Sequence, residues 1–317
     1  MGAAATAALI TPGCSRGRSD EPAPDGPARF ATGNKGGVYA TYGDGLAKLV
    51  TEVTGVSMST INTSGSLQNL RMLATSSADL GFSSSDVALD AWDGQDDFRS
   101  GALRFTALAR AYDNYVHVVV PTASNIFKVE DLRNKDVNIG PVNSGTRVVA
   151  GRILKAAKVN VKAKYFDLQT AVAQLTQRAK EPSKPGGIDA LIWSGGLPTD
   201  PIKSLQSTIG FRLVDIGSLA EQIALKRFGG YILSSIPPSV YSLSSSVPTL
   251  AIPNYLLARR GLSDSWAWWT LNTMFRRQAD LMTYHAEAGS LDARSAVATM
   301  PIPLHPAAER WYRANHI

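Results

Sequence analysis

The chain has 317 residues, a formal net charge of +6, 44% hydrophobic residues and 18% charged ones. That composition describes a packed globular protein, long enough for two ordinary domains, and excludes a disordered or fibrous chain. The basic residues are scattered with no Lys/Arg block, so nucleic acid is not read as a partner, and the mild positive field suits a small acidic ligand.

Residues 1–14 are small and apolar, with no acidic side chain, and end Ile10-Thr11-Pro12-Gly13-Cys14. Gly-Cys ends a bacterial lipoprotein cleavage site, although Thr11 and Pro12 depart from the usual pattern and a positive n-region is missing. The segment reads as a signal peptide with a lipobox, Cys14 becoming the lipidated first residue of an extracytoplasmic, membrane-attached protein. Residues 15–28 hold Arg, Asp, Pro and Gly and read as a flexible tether. Cys14 is the only cysteine, which excludes an internal disulfide, a Cys-based zinc site and a Cys–Cys redox pair. No other window is apolar for long enough to span a membrane.

The first ordered stretch is Gly33-Asn34-Lys35-Gly36-Gly37-Val38-Tyr39. Arg29, Phe30 and Ala31 lead in as a strand, and Leu46, Leu49, Val50 and Val53 follow at helical spacing. Glycines let a backbone pass close to a bound molecule, and a helix start directs free N–H groups at it. An anion pocket and a plain strand–helix turn both fit this stretch. It matches neither G-x-G-x-x-G nor the phosphate-binding P-loop, so no nucleotide is expected.

Residues 56–60 alternate as a strand. Thr63-Ser64-Gly65-Ser66 then opens a helix through Leu67, Leu70 and Leu73, with Ser64 or Ser66 as its cap. Ala78-Asp79-Leu80-Gly81-Phe82 is a third strand, ending in Ser83-Ser84-Ser85-Asp86. The order β-α-β-α-β favours an open parallel sheet, and in such sheets ligands bind beyond the carboxyl ends of the strands. The loops there supply Asn34, Gly36, Gly37, Val38, Tyr39, Ser64, Ser85 and Asp86 as candidate ligand contacts.

Val116, Val118, Val119 and Val120 read as a strand. The strand at 136–140 runs into Asn143-Ser144-Gly145-Thr146-Arg147 and a helix with Val149, Ile153 and Leu154. Ser144 or Thr146 can cap that helix, Gly145 lets the backbone approach, and Arg147 offers a two-pronged donor for a carboxylate. Residues 165–168 read as a strand, and 188–193 as a buried one ending at Trp193-Ser194-Gly195, where Trp193 walls the pocket or belongs to the core. Residues 234–246 look like loop, 247–257 like a strand broken by Pro253, and 264–284 like one long helix with Trp268, Leu271, Phe275 and Met282 as its apolar stripe. His305 is read as structural, since no metal ligand is spaced for it.

The blocks TGNKGGVY, TSGSLQNLRMLATSSADLGFSSSDVALDAW, NSGTRVVAGRIL, WSGGLPTDPI, VPTLAIPNYLL and PIPLHPAAERWY resemble, in that order, the TAXI family of TRAP transporter solute-binding proteins. The resemblance covers roughly residues 29–317. It implies an α/β, two-lobed type II periplasmic-binding-protein fold, each lobe an open, mostly parallel sheet flanked by helices. On that fold 29–117 and 247–317 form lobe one and 118–246 lobe two. It also implies a monomeric receptor without cofactor or metal, handing a small dicarboxylate or an amino acid such as glutamate to a TRAP-type membrane permease. Where the family often has small Gly/Thr residues, this chain has Asn34-Lys35. An enzyme is not expected: G-x-S-x-G and H-E-x-x-H do not occur, and the candidate loops hold hydroxyls, amides and one Arg, which shuttle protons poorly. The four histidines leave a Ser-His-Asp grouping open. A ligand-sensing surface lipoprotein is the other reading.

Overall fold

Two long strands tie the molecule together. The computed structural model describes residues 21–226 and 230–316; Cys14 and residues 15–20 of the expected tether lie outside them. The strands are β1 Ala28–Ala31, β2 Met58–Ile61, β3 Leu80–Ser84, β4 Phe105–Pro121, β5 Asp136–Asn138, β6 Lys162–Lys164, β7 Ala190–Gly195, β8 Phe211–Leu213, β9 Ile232–Ile236 and β10 Val247–Arg259. They order as β2-β1-β3-β10-β4-β7-β5-β6, with β8 on β4 and β9 on β10. β2, β1 and β3 are parallel, as are β7, β5 and β6; β10 and β4 run antiparallel between the two sets. The helices framing the site are α1 Val38–Thr54, α2 Ser66–Ala74, α3 Ser85–Asp93, α4 Gly145–Ala156 and α5 Leu168–Lys180.

The core divides along β4 and β10. Phe30, Tyr42, Phe82, Leu108, Tyr112, Leu256 and Leu271 pack in one cluster, and Leu67, Leu70, Phe105 and Tyr255 in a second. Val116, Val118, Ile153, Ile192, Leu250 and Ile252 make a third, and Val119, Leu168, Leu191, Phe211 and Tyr241 a fourth. β4 changes sides between Tyr112 and Val116, and β10 between Ile252 and Tyr255. Each side therefore buries its own apolar surface, the main driving force for folding. Val148 of α4 is an exception, packing into the cluster of Leu67 and Leu70.

Several elements differ from expectation for local reasons. β4 starts at Phe105, because Arg110 and Asp113 neutralise each other inside the strand at 2.8 Å. β10 runs through Pro253, which falls where the strand leaves β9 after Ala251 and takes up β3 at Asn254. A proline without an N–H is tolerated at such an irregular position. Strand β6 precedes residues 165–168, where Asp167 caps α5 by accepting from Thr170 N at 2.8 Å. The expected loop 234–246 holds the end of β9 and a helical turn, Pro238–Tyr241. The expected long helix is two, Asp264–Arg276 and Gln278–Tyr284, with the Gln278 amide held by the Ala288 and Leu291 carbonyls. Met282 consequently faces outward, 49% exposed. Residues 21–26 are no free tether: Trp269 Nε1 donates to Pro22 O and Trp266 Nε1 to Gly26 O, at 2.9 and 3.2 Å. His305 is structural, accepting from Ala307 N as a helix cap and facing Leu262 O at 3.1 Å.

His117 on β4 is fully buried between Tyr115 O at 2.9 Å and Tyr241 Oη at 3.0 Å, and burial lowers its pKa to about 4. Its folded pKa lies below the unfolded value of about 6.5, so the unfolded chain binds the extra proton and stability falls as pH drops from 6.5 toward 4. About 2 kcal/mol should be lost between pH 7 and pH 5. Denaturant titrations of wild type and His117→Gln at both pH values should show a smaller loss in the variant; equal losses would assign the acid sensitivity elsewhere.

Candidate functional site

A cavity of about 50 Å³ lies on the seam between the two halves. From the first side it is lined by Gly33, Asn34, Gly37, Val38, Tyr39, Ser64, Gly65, Ser66, Ser84, Tyr112 and Asn114. From the second come Ser144, Gly145, Thr146, Trp193, Ser194 and Gly195. The loops after β1, β2 and β5 and the last residues of β3 and β7 all reach it, as strand carboxyl ends do in open sheets.

Three helices begin here. α1 and α2 have glycine N-caps, Gly37 and Gly65, with no side-chain cap on their first-turn N–H groups. Ser64 and Ser66 therefore do not cap α2 as expected. In α4, Ser144 Oγ accepts from Arg147 N at 3.1 Å. Each helix start carries a partial positive charge. The loops are braced from behind by Asn69, whose amide donates to Thr32 O at 2.7 Å and Phe82 O at 2.8 Å and accepts from Thr63 Oγ1 at 2.6 Å. Tyr39 stacks on Phe82 at 5.2 Å and donates its hydroxyl to Asn254 Oδ1. Burial pushes the phenols of Tyr39 and Tyr112 up, so both remain neutral.

The two sides touch across the cleft. Gln68 N donates to Asn143 O at 3.2 Å and Arg71 to Asn143 Oδ1 at 2.8 Å. A Cβ on Gly145 would stand 2.8 Å from Ser84 Oγ and 2.9 Å from Ser66 Oγ, both on the facing side. On one flank Arg152 of α4 binds Asp86 and Asp96 at 3.0 Å, Asp90, and Tyr231 Oη at 2.6 Å. On the other, Leu197 N donates to the buried Glu287 carboxylate. Burial raises the Glu287 pKa.

Of the residues singled out from sequence, Asn34, Gly37, Val38, Tyr39, Ser64, Ser144, Gly145, Thr146, Trp193, Ser194 and Gly195 line the cavity together. Four do not. Gly36 borders a neighbouring cavity of about 270 Å³ with Gln169 and His285. Ser85 donates to Gly230 O at 3.1 Å, and Asp86 serves Arg152 and Tyr231. Arg147 is the main correction: Nη2 binds Asp97 at 2.6 Å and Nε donates to Val142 O at 2.6 Å, so its fork is turned away from the cavity. Thr146, buried one position earlier, faces inward and accepts from Ser194 N at 3.2 Å; a step of one residue turns a side chain by about 100° around a helix. Gly65, Ser66 and Ser84 fall inside loops that the sequence marks. Tyr112 and Asn114 lie on the part of β4 that the valine run does not reveal.

The fold is similar to that of MatC (Rpa3494) from Rhodopseudomonas palustris with bound malate, at a TM-score of 0.59 and 13% identity over 92% of this chain and 99% of the other. A structure described as a periplasmic transporter is similar at 0.51 and 12% identity, over 92% and 93%. A putative L-cystine ABC transporter from Listeria monocytogenes is similar at 0.50 and 14% identity, over 82% and 94%. Likeness at these identities speaks for the fold, and the fold is the two-lobed type II architecture of periplasmic binding proteins. The model of the NMT1-like family matches residues 30–315, and the chain belongs to that family.

Proposed function

We propose that this chain is an extracytoplasmic solute receptor, of the TAXI type, that captures a small carboxylate between its lobes and hands it to a TRAP-type permease. The observation that carries the reading is the cavity on the lobe seam, where three helix starts and the hydroxyls of Ser66, Ser84, Ser144 and Thr146 converge. Helix N-termini attract anions without needing a cationic side chain. β4 and β10 are the only continuous strands that cross between the lobes among the described residues, so rotation about them opens the cleft. The malate bound to MatC is in keeping with a carboxylate ligand. The cavity walls supply donors and acceptors but no acid–base pair, which favours capture over turnover. Anchoring through Cys14 completes the proposal.

An ABC-type permease is the second reading, supported by the likeness to the Listeria protein. Reconstituting the receptor with its neighbouring permease separates the two: uptake driven by an ion gradient supports the first, uptake requiring ATP the second. The receptor reading itself is tested by screening carboxylates in thermal melts and small-angle scattering. A ligand at 100 times its dissociation constant should add about 2.7 kcal/mol of stability. If no solute raises the melting temperature or compacts the particle, the receptor reading fails.

A further inference from the structure

Resting on the receptor reading, we propose that the cavity selects a small monocarboxylate bearing its own hydrogen-bond donor, a hydroxyl or amino group, and rejects dicarboxylates. The first reason is charge. None of the cavity-lining residues is Arg, Lys, His, Asp or Glu. The two arginines of α4 nearest the site, Arg147 and Arg152, are held by Asp97 and by Asp86, Asp90 and Asp96. The cavity's positive potential therefore comes from the starts of α1, α2 and α4, each worth roughly half a charge, with Asn143 O already using part of the second and Ser144 Oγ part of the third. That matches one carboxylate. A second would be buried without a partner, which is costly.

The second reason is an independent one. Three polar atoms of the wall are buried and have no partner among the described residues: Tyr112 Oη, Asn114 Oδ1 and Trp193 Nε1. Their residues are 3%, 6% and 5% exposed. Buried polar atoms are nearly always bonded, and these three belong to residues of the cavity wall, where a ligand or its water can bond them. Asn114 is fixed in orientation. Asn254 Nδ2 donates to Ile252 O at 3.1 Å, so Asn254 Oδ1 faces Tyr39 and receives Asn114 Nδ2 at 3.1 Å. Asn114 Oδ1 can then only accept, while Trp193 Nε1 can only donate. A plain carboxylate supplies acceptors alone. A hydroxy or amino acid supplies both, and a cavity of about 50 Å³ restricts it to a small one.

The test is calorimetric titration of the full mature chain with lactate, alanine, propionate and succinate. Lactate or alanine should bind about tenfold or more tighter than propionate, the worth of one good hydrogen bond, and succinate should bind no better than propionate. Asn114→Leu should erase the advantage over propionate while leaving propionate itself within about threefold. A merely structural role for Asn114 would weaken all ligands alike. Should Asn114→Leu fail to fold, Tyr112→Phe serves: its hydroxyl has no partner among the described residues, so it should melt no lower than wild type yet bind lactate about fivefold more weakly. Succinate binding as tightly as lactate, propionate matching it, or no response to any of the four would each overturn the proposal. Compaction by any other solute in scattering would still uphold the receptor reading.

Discussion

Gly145→Val should abolish tight ligand binding without disturbing the fold. The first atom of the new side chain would already stand under 3 Å from the hydroxyls of Ser84 and Ser66 on the opposite lobe, and two methyls follow it. Overpacking of this kind costs about 1–3 kcal/mol, and a branched side chain against two short, braced serines belongs at the upper end. About 3 kcal/mol is roughly a hundredfold in affinity. The cost falls on the closed form alone, because opening the cleft carries Gly145 away from both serines. Gly145 is the first residue of α4, a position open to other side chains. Scattering should therefore show an open particle that melts like wild type and does not compact with ligand. Normal closure and affinity in the variant would mean that the lobes meet differently in the bound form.

Arg152→Ala should be the most destabilising single change in the cleft. The guanidinium joins α4 to Asp86, Asp90 and Asp96 and to Tyr231, with its side chain 14% exposed and those of Asp86 and Asp90 at 1% and 3%. Removing one member of a buried charge cluster costs about 3–5 kcal/mol, because the remaining charges have lost their solvent and their counter-ion. Arg152→Lys should recover only a minor part, since an ammonium cannot reach three carboxylates and a phenol with one planar fork. Chemical denaturation of the three proteins measures this. A loss under about 1 kcal/mol for the alanine variant would show that the cluster is well solvated and holds nothing shut.

Gly145 and Arg147 show how much of the site is legible in the sequence. Gly145 is recognisable because a glycine beside hydroxyls, at the end of a strand and the start of a helix, is a local pattern with a local physical meaning. The same holds for Asn34–Tyr39 and for Trp193-Ser194-Gly195. Arg147 is read wrongly for the complementary reason. Spacing locates it in the first turn of α4, but which way it points depends on Asp97, fifty positions away, and sequence periodicity carries no record of that partner. Tyr112 and Asn114 stay hidden because β4 changes the lobe it serves midway, so its alternation changes meaning and its polar residues resemble a loop. The parallel β-α-β order at the start was legible because each helix there faces one sheet throughout. The break at Arg277 was not, since a side-chain amide bonding to distant carbonyls sets it.

The place of β10 in the sheet fixes an order of assembly. β3 and β4 follow one another in the chain, yet they are not neighbours; the slot between them is filled by residues 247–259. On the other side β4, β5, β6 and β7 are all complete by residue 195. A chain emerging from its amino end thus has every strand of the second lobe's central ladder before the first lobe's sheet can close. Until β10 arrives, β3 presents a bare edge, the kind of surface that recruits strands from other molecules. The lobe that begins first in sequence is finished last, and it spends most of the chain's synthesis as a sheet with one strand missing.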